Sequence, residues 1–273
     1  MNIQAGNKNP PAKEVVYETG DFHSAVNSDV GCDDSSYFLS IHLYQNWKAY
    51  QKGTDTYQEL SSSFVERPED KKPAEDKPDN PKPDTLQIDF AGLQAMNSDI
   101  IGWIEIPGLS INYPVLQGKD NAYYLTHLAD RKYGISGSIF MDYHNVPDFS
   151  DSNTIIYGHN MKDKSMFGTL DRYKDFELYK ENPYFYIYTP GKRLTYQIFS
   201  CYAGHVGSDA YLYEFPEAED FNRFLQRIQS YAAYDTGKQV METERVVTLS
   251  TCTNTSRNYR YLVHGVLIKE EKN

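Results

Sequence analysis

The sequence predicts a mainly β protein with interspersed helices, either a β-barrel or an α+β domain. Three observations carry that expectation. Tyr (24) and Phe (13) are abundant, and aromatic side chains favour the pleated, half-buried surface of a sheet. About eight segments rich in strand formers succeed one another between residues 103 and 269. These segments do not alternate with helices as regular βα units, which excludes a doubly wound parallel sheet. With 40% hydrophobic residues in 273, the chain has ample material for a core and is not disordered as a whole.

The elements follow in chain order. Residues 1–35 are polar and irregular, with Pro10-Pro11 and many Asn, Asp and Ser, and read as a mobile segment. A helical segment over 36–65 is centred on 37–60, where Leu39, Leu43, Trp47 and Tyr50 recur at spacings of 4, 4 and 3. Gly53 is its weak point. Residues 66–84 carry five of the 13 prolines among Glu, Asp and Lys, with Ala74 the only apolar residue. Such a run cannot bury a core and reads as an extended, solvated spacer. From 85 to 273 the chain reads as one compact domain.

Within that domain a short helix over 86–96 precedes a strand at 103–106, which alternates and stops at Pro107-Gly108. Further strands are expected at 111–116, 138–141, 154–157, 184–189, 194–204, 245–251 and 261–269. Residues 120–128 read as one or two helical turns. A helix is expected over 165–179, with Phe167, Leu170 and Tyr173 along one face. Residues 216–234 open with Pro-Glu-Ala-Glu-Asp, a helix-start signal. Phe221, Phe224, Leu225 and Ile228 then supply a stripe of period 3.6.

Composition removes several function classes. A net charge of −11 and a pI near 5.1 argue against a general nucleic-acid binder, which needs a basic face. Residues 1–84 hold 9 Lys/Arg against 15 Asp/Glu, and the remaining 189 hold 18 against 23, so acidity is densest in the N-terminal third. No run approaches the ~18 apolar residues of a membrane span, and no basic-then-apolar leader opens the chain. Any membrane attachment would run through an anchor not visible in this sequence. The G-x-S-x-G, GxxxxGK[ST], H-E-x-x-H and GxGxxG patterns are absent, and the seven histidines show no paired spacing on one helix. No metal and no cofactor are expected. Cys32, Cys201 and Cys252 are an odd count without CxxC, hence neither a disulfide framework nor a zinc ribbon.

Three segments could carry chemistry. Residues 246–254, VVTLSTCTN, place Cys252 where an apolar strand runs into a polar loop. There a thiol is either a small buried hydrophobe or a nucleophile held by the sheet and reachable by substrate. Cys201, inside Ile198-Phe199-Ser200-Cys201-Tyr202, lacks such a loop and reads as core. A nucleophilic cysteine needs a base, because at a pKa of ~8.5 only a few per cent is thiolate at neutral pH. Residues 153–161, NTIIYGHNM, offer His159 just beyond another strand, either structural or the usual partner of a reactive thiol. Arg260 opens the strand after the Cys252 loop, eight residues on. Two antiparallel strands joined by that loop would return it beside Cys252. There a guanidinium either is solvated or donates to a developing oxyanion.

Together, TLSTC at 248–252, the arginine at the next strand and the upstream YGHNM resemble the sortase family, and more narrowly its class B. NSDIIGWIEIPGLSINYPVLQ (97–117), DNAYYL (120–125), GSIFMD (137–142) and MFGTLDRY (166–173) extend the resemblance over roughly 86–269. The resemblance implies an eight-stranded sortase-type β-barrel with an N-terminal helical segment and a long helix between the late strands. It implies a cysteine transpeptidase with Cys252 as nucleophile, His159 as general acid/base and Arg260 as oxyanion and substrate ligand, with Arg257 the alternative for that last role. By position in the motifs, Ser250, Asn121 and Leu125 would line the sorting-signal groove, and Tyr211 and Leu212 would grip the peptide from a loop. The implied partners are surface proteins or pilins bearing a sorting signal, with an amine acceptor on a peptidoglycan precursor or a pilin lysine. The implied location is the extracellular face of the cell membrane. A plain cysteine hydrolase and a catalytically silent binding barrel are the other readings. Papain-like enzymes place the cysteine before the histidine within C-G-[SA]-C-[WY], whereas here His159 precedes Cys252.

Overall fold

The computed structural model describes residues 32–67, 85–254 and 256–272. Two short strands, β1 (Val65–Glu66) and β2 (Gln87–Ile88), pair with each other alone. The remaining strand-forming runs close into one barrel: β3 (Ile100–Ile106), β4 (Ile111–Leu116), β5 (Ile139–Met141), β6 (Asn153–Tyr157), β7 (Tyr184–Thr189), β8 (Lys192–His205), β9 (Val246–Cys252) and β10 (Tyr259–Lys272). Around the barrel the order is β10-β8-β7-β3-β4-β5-β6-β9, closing onto β10. Neighbours are antiparallel except β4–β5 and β6–β9, which run parallel. Closure leaves no unpaired sheet edge. The eight expected barrel strands are all present.

Two apolar layers flank β8, which explains its unbroken run of strand formers. Tyr196, Ile198 and Cys201 join the barrel core with Trp103, Phe185 and Leu249. Phe199 and Tyr202 face the other way, onto helix α4 (Ala218–Ser230), whose stripe Phe221, Phe224, Leu225 and Ile228 is buried. A strand covered on both faces loses the alternation of a half-exposed one. The α4 stripe matches the expected 3.6-period face. At the helix start the Asp220 carboxylate accepts from the Glu217 N–H at 3.2 Å, satisfying a donor the helix cannot pair internally.

Several local expectations need correction. The helix expected over 165–179 is instead a 3-10 stretch at Leu170–Lys174 followed by a short helix at Phe176–Glu181. Lys164 and Met166 adopt positive φ (69° and 56°), which breaks a helix there. Asp175 takes an extended conformation and caps the second piece through its carboxylate on the Glu177 N–H. Phe167, Leu170 and Tyr173 are nonetheless all buried, so the stripe was a packing signal without a continuous helix. The helix expected over 86–96 begins only at Phe90, capped by Asp89, because Gln87–Ile88 pairs with β1. The turns expected over 120–128 shrink to a 3-10 turn at Tyr123–Leu125, with Asp120 accepting from the N–H groups of Ala122 and Tyr123. Glu105, an outward position by simple alternation, is buried. It accepts from Arg67 at 2.7 Å and from the Tyr188 hydroxyl at 3.0 Å.

Helix α1 runs Cys32–Phe64 without a break at Gly53. A Cβ on Gly53 would meet the Ser136 hydroxyl, so the helix passes close to that turn and a larger residue there would require Ser136 to shift. The chain divides into two compact units after Tyr44. In the first unit the described residues, 32–44, are helical. In the second, Tyr57 and Leu60 are buried in the barrel cluster, and the Tyr57 hydroxyl donates to the Gly137 carbonyl at 2.7 Å. The mobile segment expected over 1–35 lies outside the described residues up to 31, and 32–35 open α1. Of the spacer expected over 66–84, residues 68–84 lie outside the described residues. Its flanks are the paired strands β1 and β2.

Candidate active site

Strand register determines where the reactive side chains come together. β6 and β9 run parallel, with Tyr157 level with Ser250. Two residues further along each chain stand His159 and Cys252, at the same end of the barrel. The Gly158 N–H continues the pairing to the Ser250 carbonyl at 3.1 Å. A Cβ on Gly158 would lie 2.6 Å from the Phe167 ring, so only glycine lets the histidine loop pass there. β9 then pairs antiparallel with β10, and Arg260 lies directly opposite Cys252, as the short connection between those strands implied. Arg257 is exposed in the turn, and its carbonyl accepts from Arg260 at 2.8 Å.

These side chains line one open groove of about 250 Å³, with His159, Cys252 and Arg260 at its wall and Asn121, Leu125, Tyr211 and Ser250 around them. Cys252 is exposed and Cys201 buried. The Cys201 thiol donates to the Tyr173 carbonyl at 3.2 Å, and burial pushes its pKa up, which keeps it a neutral, inert thiol. His159 Nε2 donates to the Leu125 carbonyl at 2.7 Å. A carbonyl only accepts, so Nε2 carries the hydrogen and Nδ1 is the nitrogen left to exchange a proton. Asn160 Nδ2 donates to the Cys252 carbonyl at 2.8 Å, tying the histidine loop to the cysteine. Arg260 also donates to the Tyr259 carbonyl at 3.0 Å, which braces one end of its guanidinium and leaves further N–H groups for a ligand.

The far wall is a loop, Asp209–Tyr211, held from inside the barrel. Asn153 Nδ2 donates to the carbonyls of Leu212 at 2.7 Å and Ala210 at 3.3 Å. The Tyr211 hydroxyl sits 2.9 Å from Ser250 Oγ, and its ring stacks over Tyr157 at 6.3 Å. Burial raises the Tyr211 phenol above its usual range, while the Arg260 charge nearby pulls it back. Leu212 does not line the groove. It follows the 3-10 turn in extended backbone, so its carbonyl goes to Asn153 while its side chain is exposed. Sequence reasoning passed over Tyr157, Phe140, Val206 and Thr251, which also line the groove. Tyr157, Phe140 and Thr251 stand in the YGHN, GSIFMD and TLSTC runs, whereas Val206 lies just after β8, outside any such run. A second cavity, about 270 Å³ between α1 and the barrel, is lined by Ser, Thr, Asn and Tyr side chains and holds neither cysteine nor histidine.

Comparison with known proteins places the chain in a family. The Sortase domain family model matches residues 104–268. The chain is 33% identical to sortase B of Listeria monocytogenes over 248 residues, covering 89% of this chain and 98% of that one. Among solved structures, sortase B from B. anthracis in complex with AAEK1 aligns with a TM-score of 0.69 at 32% identity, covering 82% of this chain and 99% of that one. A Staphylococcus aureus sortase B–substrate complex aligns with a TM-score of 0.65 at 30% identity, covering 84% and 99%.

Proposed function

Because this chain belongs to the sortase family, and within it to class B, and is a sortase-type cysteine transpeptidase, we propose that it cleaves a C-terminal sorting signal at a Thr-Gly or Thr-Asn type bond. It then transfers the acyl group to an amine of a peptidoglycan precursor, working at the extracellular face of the cell membrane. The observation that carries the residue assignment is the register that sets His159 and Arg260 on either side of Cys252.

In the first half-reaction the Cys252 thiolate attacks the threonine carbonyl carbon. The C–N bond then breaks and His159 gives its proton to the departing amine, leaving a thioester. In the second, the acceptor amine attacks the thioester carbon, His159 takes its proton, and the thiolate leaves. Both tetrahedral states carry negative charge on oxygen. Arg260, opposite Cys252, is placed to donate to it, and its planar fork suits a carbonyl oxygen better than a lysine would. The Leu125 carbonyl orients the His159 ring, the task a carboxylate performs in many Cys–His pairs. The groove beside Cys252, with aromatic and amide walls, receives an extended peptide.

Intact mass after incubation with peptides spanning Thr-Gly or Thr-Asn bonds, with and without an amine acceptor, tests this reading. An acyl adduct on the wild type but not on Cys252→Ala, and an amine-linked product only with acceptor, are expected. Hydrolysed product alone in the presence of acceptor would point to a plain hydrolase. An adduct surviving in Cys252→Ala would move the nucleophile elsewhere. Arg260→Ala should lose about 100–1,000-fold in rate, the scale of one oxyanion donor; near-normal cleavage would remove that role from Arg260.

A further inference from the structure

Asp142 ends the GSIFMD run just after β5, is 5% exposed, and lies outside the groove lining. Its main chain is pinned on both sides: the N–H donates to the Ile155 carbonyl at 2.9 Å, and the carbonyl accepts from Gln117 Nε2 at 2.9 Å. Its carboxylate accepts four hydrogen bonds. Oδ1 takes the His144 N–H at 3.0 Å and His144 Nδ1 at 2.8 Å. Oδ2 takes Asn121 Nδ2 at 2.8 Å and the Tyr157 hydroxyl at 2.8 Å. Those last two donors belong to groove residues on different parts of the fold, the loop after β4 and the end of β6.

The consequence for Asn121 is a defined amide orientation. Its Oδ1 accepts the Tyr143 N–H at 3.1 Å while its Nδ2 faces the carboxylate, leaving one Nδ2 hydrogen for a ligand carbonyl. The consequence for Tyr157 is a fixed ring. That ring is the surface on which Tyr211 stacks, and Tyr211 in turn bonds Ser250. One buried carboxylate thus sets the direction of an amide donor and the seat of an aromatic wall. Preorganisation of this kind lowers the ordering cost of a bound peptide.

We propose that Asp142 is a positioning residue for the donor peptide: it holds Asn121 and Tyr157 in the orientation that the sorting-signal backbone needs, without touching the reacting atoms. This rests on the transpeptidase reading above. No other side chain of that size serves. The His144 main-chain N–H can only donate, so asparagine would keep its oxygen on that side and turn its NH2 group toward Asn121 and Tyr157, losing the bonds that hold them.

The test is steady-state kinetics on a fluorogenic peptide spanning a Thr-Gly or Thr-Asn bond, chosen because the wild type turns it over. The rate of Cys252 alkylation by iodoacetamide is measured alongside. Asp142→Asn should raise KM about tenfold, the scale of one charge-assisted hydrogen bond, with kcat and alkylation within about threefold of wild type. In a double-mutant cycle, Asp142→Asn should cost less on top of Asn121→Ala than alone, since it acts through Asn121. Tyr157→Phe keeps the ring and removes only the bond to Asp142; it should raise KM severalfold and keeps the inference testable if Asp142→Asn does not fold. A KM within twofold of wild type in Asp142→Asn or in Tyr157→Phe would overturn the proposal. So would a fully additive cycle, or a loss spread equally over kcat, KM and alkylation. A wild type that forms no thioester with any such peptide would instead remove the functional reading, and this inference with it.

Discussion

His264 on β10 is fully buried, with Nδ1 2.9 Å from Thr248 Oγ1. The Thr248 hydroxyl donates to Asn153 Oδ1 at 2.7 Å, so its oxygen can only accept from the imidazole, and Nδ1 carries the hydrogen. Among the described residues Nε2 is left as a bare lone pair without a partner, between Phe199 and Tyr202. Protonating it would create a buried charge with nothing to accept from it, and burial accordingly lowers its pKa to about 3. Between about 3 and the ordinary 6.5, the unfolded chain binds a proton that the folded protein refuses. Stability is therefore complete above pH 6.5 and falls as pH drops through that window. From pH 7 to pH 5 the loss is on the order of 2 kcal/mol. Urea denaturation of wild type and His264→Gln at both pH values should show the variant losing less, and equal losses would refute it. At this scale the reactive set was legible because Cys252, His159 and Arg260 each follow or open a strand within a recognisable run. Asp142 was quoted within GSIFMD, yet nothing in the chain pairs it with Asn121 and Tyr157, 21 residues before and 15 after. Leu212 shows the converse: adjacency to Tyr211 suggested a shared role, but the backbone passes from the 3-10 turn at Tyr211 to an extended conformation at Leu212, whose side chain is exposed.

Among elements, α4 was the most readable because its stripe reports one buried face and nothing else. Phe224 is 1% exposed and packs on Phe215 at 5.1 Å and Phe221 at 5.7 Å between ring centres. Phe224→Ala should cost about 3–5 kcal/mol by denaturant unfolding. Cys252 alkylation in the folded variant should stay near wild type, because Phe224 itself does not line the groove. A loss below 1 kcal/mol would mean the helix docks loosely. Residues 165–179 were misread for the opposite reason: the buried stripe is real, but the positive φ at Lys164 and Met166 has no glycine to announce it. The short strands β1 and β2 were illegible, since two residues carry no periodicity, and their pairing is visible only when both ends are in place.

At the scale of the whole molecule, eight strand-like runs and an irregular helix order were enough to expect a barrel, but not its two parallel pairings, which depend on which distant strands meet. The β6–β9 pairing spans 93 residues between Asn153 and Val246, yet it is what brings His159 level with Cys252. The same logic governs the proline-rich stretch. It is expected as a spacer between helix and barrel; residues 68–84 lie outside the described residues, and on either side of them β1 and β2 pair with each other. Arg67 is further fastened to the buried Glu105 carboxylate, and Arg193 donates to Thr85 Oγ1 at 2.9 Å. Antiparallel partners stand about 5 Å apart, a gap that a handful of residues can bridge. Residues 68–84 connect these two anchored ends in the sequence, and closing a chain between fixed points costs entropy that grows only slowly with its length. Replacing them with a Gly/Ser connection of about half the length should raise unfolding stability by roughly 0.6 kcal/mol. Peptide turnover should be unchanged, since neither flank lines the groove. Arg67→Ala in the same background should remove more than the shortening adds, because it strips a partner from a buried carboxylate. A shortened protein that loses several kcal/mol, or whose kcat/KM collapses, would show that the stretch acts on the barrel in its own right and that the two-strand clamp is not what joins α1 to the catalytic domain.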